Sequence, residues 1–159
     1  MNEELRNILD ELIGPPGLTK QFLMLLEEKG LDIKQSRDHD RAKYFFVTNG
    51  NKKVIVLAHE SSNDGWWGIG GSLIASAIED ARNPENNLTD WGAALINKKP
   101  DRGYWLSGEA ILELRDVGLI RLDSQSKYHF NRNVLQAQDE LAPTFATIET
   151  FLRLSGLKA

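Results

Sequence analysis

Residues whose side chains can do chemistry collect around one predicted strand of this 159-residue chain. His59 and Glu60 stand at the end of that strand, and Asp64 follows shortly after it. Asp38 and Asp40 add two further carboxylates ahead of the preceding strand. Imidazole and carboxylate groups at the open end of a strand can serve as acid–base pairs or as metal ligands. These residues form the candidate catalytic set, and a strand end that simply reaches solvent is the alternative.

A second group of side chains is typical of ligand binding. Trp66 and Trp67 offer aromatic faces on which nucleic-acid bases stack, a contact worth about 1–3 kcal/mol per base. Adjacent residues often point in opposite directions, so the simpler expectation places one Trp in the core and the other at the rim. Lys53 and Tyr104 complete the predicted ligand-binding set.

A glycine-rich stretch, residues 68–71, stands where the chain enters a predicted helix. Exposed backbone N–H groups at a helix N-terminus attract anions, which suggests a phosphate cradle. A dinucleotide fingerprint requires a small residue where Leu73 stands, and a strand that opens a β–α–β unit rather than one that closes a hairpin. The chain has no Walker lysine at this place either. The pattern therefore disfavours nucleotide binding.

Composition predicts a single cytoplasmic domain. With 41% hydrophobic residues, the chain is long enough for one compact core. The absence of cysteine excludes disulfides, thiolate nucleophiles and Cys-based zinc sites, and it favours a reducing cytoplasm. The acidic N-terminal segment is unlike a signal peptide, and no stretch reaches membrane-spanning length, so no membrane partner is expected. A net charge of −4 disfavours a general nucleic-acid coat but permits local basic patches.

Periodicity and turn signals predict the elements that must position these residues. Helices are expected at residues 5–13, 19–29, 72–82, 108–117 and 143–154. Strands are expected at residues 31–35, 42–48, 53–59, 91–96, 104–106, 119–123 and 127–130. Thr19 and Ser107 are expected to cap their helices. Turns are expected to join the second and third strands, and the last two strands, into hairpins, and a Trp- and Gly-containing turn is expected at residues 61–71.

This order of elements indicates one α+β domain, residues 1–159, with a mixed central sheet flanked by helices. Residues 1–97 resemble, in element order, the αβββαβ core of the restriction-endonuclease-like, or PD-(D/E)XK nuclease, superfamily. Residues 98–159 would then form a C-terminal helix-hairpin-helix extension. The resemblance implies a magnesium site made by an Asp near the start of the second strand and a Glu-x-Lys in the third. Asp38 or Asp40 matches the first position, but the third strand contains no Glu-x-Lys and its acid, Glu60, arrives only at the end.

Two functions follow from the resemblance. The first is a catalytically silent interaction or nucleic-acid-associated module, without a cofactor and with a nucleic-acid or protein partner. The second is a magnesium-dependent nuclease with a displaced site, built from Asp38 or Asp40 with Glu60 and Asp64 and helped by His59 and Lys53. The loss of Glu-x-Lys favours the first. Self-association into a homo-oligomer is compatible with either function.

Two weaker resemblances concern the second half of the chain. Residues 109–130 resemble the recognition helix and wing of winged-helix DNA-binding proteins, with Arg115, Arg121 and Lys127 as phosphate contacts. That fold needs another helix ahead of the recognition helix, whereas residues 100–106 are predicted to be loop and strand. Residues 91–106 are also similar to a pattern found in small prokaryotic proteins, which implies no activity.

Overall fold

Helices and strands are mixed along the chain in an α+β order. The computed structural model describes residues 3–5, 17–36, 43–61 and 65–158, and the predicted first helix lies mostly outside them. The helices are Leu18–Glu28 (α1), Gly71–Arg82 (α2), Gly108–Asp116 (α3), Arg132–Ala137 (α4) and Ile148–Leu154 (α5), with a 3₁₀ helix at Pro84–Asn86. The strands are Asp32–Gln35 (β1), Tyr44–Asn49 (β2), Lys52–Glu60 (β3), Trp66–Gly70 (β4), Asp90–Ile96 (β5), Gly103–Ser107 (β6), Lys127–Asn131 (β7) and Thr144–Phe145 (β8). Among the described helices, none has the length and apolar character needed to cross a membrane.

A six-stranded mixed sheet organises the domain. Its strand order is β1-β2-β3-β5-β6-β8. Strands β3 and β5 run parallel, and the other neighbours in this sheet are antiparallel. A parallel pair needs a crossover connection, which β4 and α2 supply here. The predicted α+β domain with a mixed sheet and flanking helices is confirmed.

The hairpin between β2 and β3 forms where the turn signal predicts it. Asn49 pairs with Lys52, and the register continues to Tyr44 opposite Leu57. Gly50 has a φ of 61°, in the left-handed region that glycine adopts without steric cost. The hairpin thus brings the end of β3 beside the start of β2.

The six-stranded sheet is buried on both faces, which explains why β3 is almost continuously apolar. Val54, Val56 and Ala58 belong to the core on the side of α1 and α5. Ile55 and Leu57 belong to the core on the side of α2, α3 and the β4–β7 pair. Each side chain of β3 therefore reaches only one of two separate cores.

Strand β4 is the main feature that the sequence did not predict. It occupies part of the expected turn at 61–71 and pairs antiparallel with β7 in a second, two-stranded sheet. Only the turn end of the predicted hairpin of residues 119–123 with 127–130 forms. Leu122 bridges Tyr128 and the N–H of Asp123 donates to the carbonyl of Lys127, but residues 119–123 form no strand. The winged-helix alternative is wrong, because strand β6 and not a helix precedes α3, and β7 takes its partner from the distant β4. Burial of Trp67, Ile69 and Phe130 against α2 and α3 drives this pairing.

The C-terminal helix is shorter than expected. Thr144–Phe145 forms β8 against β6, and the helix begins only at Ile148, where Thr147 caps it through the N–H of Thr150. Phe145, Ile148, Phe151 and Leu152 are buried, as their spacing predicts. Strands β6 and β8 extend the sheet that β1, β2, β3 and β5 begin.

Candidate functional site

Glu60 lies at the N-terminus of α1. Its Oε1 accepts a hydrogen bond of 3.4 Å from the backbone N–H of Thr19. The N-cap residue is Gly17, which has no side chain to cap the helix, so the predicted cap by Thr19 is wrong. A Cβ at Gly17 would lie 2.9 Å from this carboxylate oxygen. A carboxylate at this end of a helix is favourable for the helix dipole, which gives Glu60 a role in the fold.

His59 lies on the opposite face of β3 from Glu60, because side chains alternate along a strand. It is only 3% exposed. Burial lowers its pKa to about 3, and the positive charges of Lys43 and Lys127 act in the same direction. The Leu57 carbonyl offsets a part of this effect, but Nδ1 makes no hydrogen bond to any described residue. His59 is therefore a neutral imidazole inside the core at neutral pH, and it does not pair with Glu60.

The remaining carboxylates of the predicted catalytic set are Asp38, Asp40 and Asp64, and all of them lie outside the described residues. Within the part of the chain that the structure describes, no group of three or more His, Asp or Glu side chains is placed to hold a metal ion. The grouping of Asp38 or Asp40 with Glu60 and Asp64 stays a prediction.

Trp67 and Tyr104 are structural residues of the core. Trp67 is fully buried, and its indole N–H donates a 3.0 Å hydrogen bond to the carbonyl of Ile96 at the end of β5. The Tyr104 ring meets Trp67 edge to face, with centroids 5.7 Å apart. These two side chains hold the carboxyl ends of β3 and β5 in place, and a buried indole offers no face to a ligand.

Lys53 lies at the other end of the sheet from His59 and Glu60. Its ammonium group sits 5.1 Å from the centroid of the Phe46 ring, and its backbone N–H donates to Thr89. The rise of a strand places Lys53 about 20 Å from the end of β3. It therefore does not contribute to a site with the other predicted residues.

Trp66 is the exposed member of the Trp pair, so the expectation of one Trp in the core and the other at the rim is confirmed. It is 37% exposed, and its ring stacks on the imidazole of His129 with centroids 4.2 Å apart and planes 16° apart. Nε2 of His129 is held by the carboxylate of Asp123. The His129 ring is thus clamped between a carboxylate and an indole.

Asp123 is itself held by the turn that precedes β7. Its Oδ1 accepts hydrogen bonds from the backbone N–H groups of Gln125 and Lys127, at 2.8 and 3.0 Å. The Lys127 N–H and the His129 ring lower the pKa of Asp123 to about 2. The carboxylate is ionised at neutral pH and orients His129.

On the outer face of the β4–β7 pair, two glycines of β4 lie opposite polar residues of β7. Gly68 pairs with His129, and Gly70 pairs with Lys127. A Cβ at Gly68 would lie 3.5 Å from Nδ1 of His129 and 3.6 Å from Cδ of Lys127, so these side chains lie directly over the glycine. We call the surface formed by Trp66, Gly68, Asp123, Lys127 and His129 the Trp66 platform.

One further cation, Arg132, borders the platform. The Arg132 side chain runs beside Gly65, where an added Cβ would lie 3.2 Å from its Nε. The polar face of β4 and β7 therefore combines one exposed aromatic surface with charged side chains of both signs, Lys127 and Arg132 beside Asp123.

Sequence reasoning missed His129 and Asp123 as partners of Trp66. The signal was present in the alternation of β7, because Tyr128 and Phe130 are apolar while Lys127 and His129 are polar. This alternation predicts that His129 points to solvent. It does not predict which strand lies beside it.

Comparisons with known proteins identify no family. No protein-family model matches the chain, and no curated protein matches it significantly. The function is therefore inferred from the geometry of the Trp66 platform.

Proposed function

We propose that this chain is a non-catalytic module that binds single-stranded nucleic acid on the Trp66 platform. The observation that carries the proposal is the exposed Trp66 indole, fixed in place by its stacking on His129. A flat aromatic surface accepts any base because every base has a π-face, and each stacked base contributes about 1–3 kcal/mol. An indole that is already oriented loses little side-chain freedom when the base arrives.

The charges around the indole favour the same ligand. Lys127 lies on the platform, and Arg132 borders it. Cationic side chains beside an aromatic surface contact the phosphates on either side of a stacked base. The whole chain carries a net charge of −4, so the proposal requires only a local attraction at the platform. We expect moderate affinity that weakens as salt is added, with a logarithmic slope of about −0.7 per phosphate contact.

The scaffold is compatible with a restriction-endonuclease-like ancestry. The described elements from α1 to β5 run in the order helix, three strands, helix and strand, with β4 as an insertion before the second helix. This is the αβββαβ order on which the resemblance rests. A nucleic-acid-binding role would then be what such a scaffold retains once the Glu-x-Lys is lost from β3.

A magnesium-dependent nuclease is the less well supported alternative. Its site requires Glu60 to join Asp38 or Asp40 and Asp64 around the ion, because Mg²⁺ prefers oxygen ligands in near-octahedral geometry. Glu60 instead accepts a hydrogen bond from Thr19 at the start of α1. His59, its predicted helper, points into the opposite core.

Titration of a fluorescently labelled oligothymidine with the protein tests the proposal, read by fluorescence anisotropy at low and at physiological salt. Trp66→Ala is expected to weaken binding roughly tenfold, because it removes one stacked base. Lys127→Gln is expected to reduce the salt dependence, because it removes one phosphate contact. Trp66→Phe should retain most of the affinity.

Leu119→Ala is the matched control, since it truncates another exposed apolar side chain outside the platform, 41% exposed. It should bind as the unmodified protein does. Equal binding by Trp66→Ala and Leu119→Ala would overturn the proposal, as would the absence of binding to DNA and RNA oligonucleotides of every base. Cleavage of the oligonucleotide on addition of magnesium, abolished by Glu60→Gln, would favour the nuclease instead.

A further inference from the structure

A concave surface lies at the β6 edge of the six-stranded sheet, and no residue of the Trp66 platform lines it. It has a volume of about 340 Å³, within the range of pockets that bind small ligands or single side chains. Strand β8 covers β6 for only 2 residues, so the cleft opens where this cover ends. Its lining consists of Trp105, Ser107, Glu109, Ala110, Glu113, Glu140, Leu141, Pro143 and Leu154.

The floor of this cleft is apolar and well fixed. Trp105 and Ala110 are almost fully buried, at 2% and 4% exposure. The N–H of Trp105 donates a 3.0 Å hydrogen bond to the carbonyl of Pro143, which anchors the segment that forms one wall. Leu141 and Leu154 are partly exposed and complete the apolar lining. This floor suits an aliphatic chain.

The charged side chains that line the rim of the cleft are all acidic. Glu109 and Glu113 are one helical turn apart on α3, so their carboxylates share a face, and Glu140 approaches from the opposite wall. None of these carboxylates has an ion pair or hydrogen bond with a described residue, and no Lys or Arg lines the cleft. Like charges at this helical spacing repel each other, so a cation bound at the rim would relieve this repulsion.

We propose that the cleft binds an arginine side chain of a basic segment in a partner protein. The aliphatic stem of arginine would cover Leu141, Pro143 and Leu154 while its head group remains at the rim. The planar guanidinium has donors enough for two carboxylates at once, which a lysine ammonium matches less well. Charge complementarity selects this occupant, since the rim repels the phosphates that the Trp66 platform attracts.

The probe is acetyl-leucyl-arginyl-leucine amide, compared with the same peptide carrying citrulline, which keeps the shape of arginine without its charge. Backbone amide resonances of Ala110 and Leu141 should shift on titration with the arginine peptide and not with the citrulline peptide. The double variant Glu113→Gln/Glu140→Gln should weaken binding at least about tenfold, because two charge-assisted hydrogen bonds are lost.

Glu85→Gln is the matched control, since Glu85 is an exposed carboxylate on the 3₁₀ helix and does not line the cleft. It should leave the affinity unchanged, and no variant should unfold at a lower temperature than the unmodified protein. Equal binding of the citrulline peptide, or equal weakening by Glu85→Gln, would overturn the proposal. If the protein alone self-associates and the double variant does not, the proposal of a partner protein is overturned, and the occupant of the cleft is a second copy of this chain. Trp66→Ala should bind the arginine peptide normally, which separates this result from the test of the Trp66 platform.

Discussion

The end of β3 and the Trp66 platform lie close together and contain the same kinds of side chain, but they use them differently. At the end of β3, a histidine, a tryptophan and a glutamate are engaged in the fold: His59 and Trp67 are buried, and Glu60 meets the start of α1. On the platform, Trp66 stacks on the partly buried His129 and remains exposed. Residue type is therefore a weak guide to function, because burial and hydrogen bonding decide whether a side chain can meet a ligand.

The largest expected effect is a difference in folding stability between variants of the two adjacent tryptophans. Trp67→Ala should lower the free energy of unfolding by about 3–5 kcal/mol, because it leaves a cavity and removes one of the two hydrogen bonds that the Ile96 carbonyl accepts. Trp66→Ala should cost about 1 kcal/mol or less, since only its stacking on His129 is lost. Urea denaturation of both variants measures the difference. Similar losses of unfolding free energy in the two variants would show that Trp66 contributes as much to the fold as Trp67 does.

The next effect concerns the pH dependence of stability. The pKa of His59 is lowered in the folded state to about 3 from 6.5, so protonation favours the unfolded chain. The stability associated with neutral His59 is complete above pH 6.5 and is lost as the pH falls toward 3, by about 1.4 kcal/mol per pH unit. Unfolding free energies measured between pH 6 and pH 4 should show this slope, a loss of roughly 2–3 kcal/mol over two pH units.

His59→Leu should flatten that slope, because leucine is apolar and does not titrate. His129→Asn is the control, since it removes the partly exposed histidine and keeps the buried one. The slope should persist in this variant. A slope that is the same in His59→Leu and in the unmodified protein would show that His59 is not a buried neutral imidazole.

The smallest effect concerns Glu60. Glu60→Gln should lower stability by about 0.3–1 kcal/mol, because it removes a negative charge from the N-terminus of α1. Glu79→Gln, an exposed change on α2, should be neutral. Thermal unfolding with and without magnesium sharpens the comparison further. A rise in the unfolding temperature on addition of magnesium that is lost in Glu60→Gln would show that Glu60 is a metal ligand.

The candidate site was predicted only in part. The sequence predicts that one Trp of the pair is exposed, but the alternation of β4 was needed to decide that Trp66, and not Trp67, faces solvent. Tyr104 and Trp67 belong to the core, and Lys53 lies at the far end of β3. Asp123 and His129 were missed because their relation to Trp66 depends on a pairing between strands that are far apart in sequence.

The sequence by itself determined what depends on near neighbours. The apolar spacing of α1 and α2, the hairpin of β2 with β3 and the cap that Ser107 provides to Ala110 all follow from short-range patterns, and all are observed. Tertiary structure decided what depends on burial. Pairing of β4 with β7 buries Trp67 and Phe130, and no local pattern encodes that pairing. The same burial holds His59 neutral and leaves Trp66 at the surface, because a side chain's chemistry depends on the solvent and the charges that the folded chain places around it.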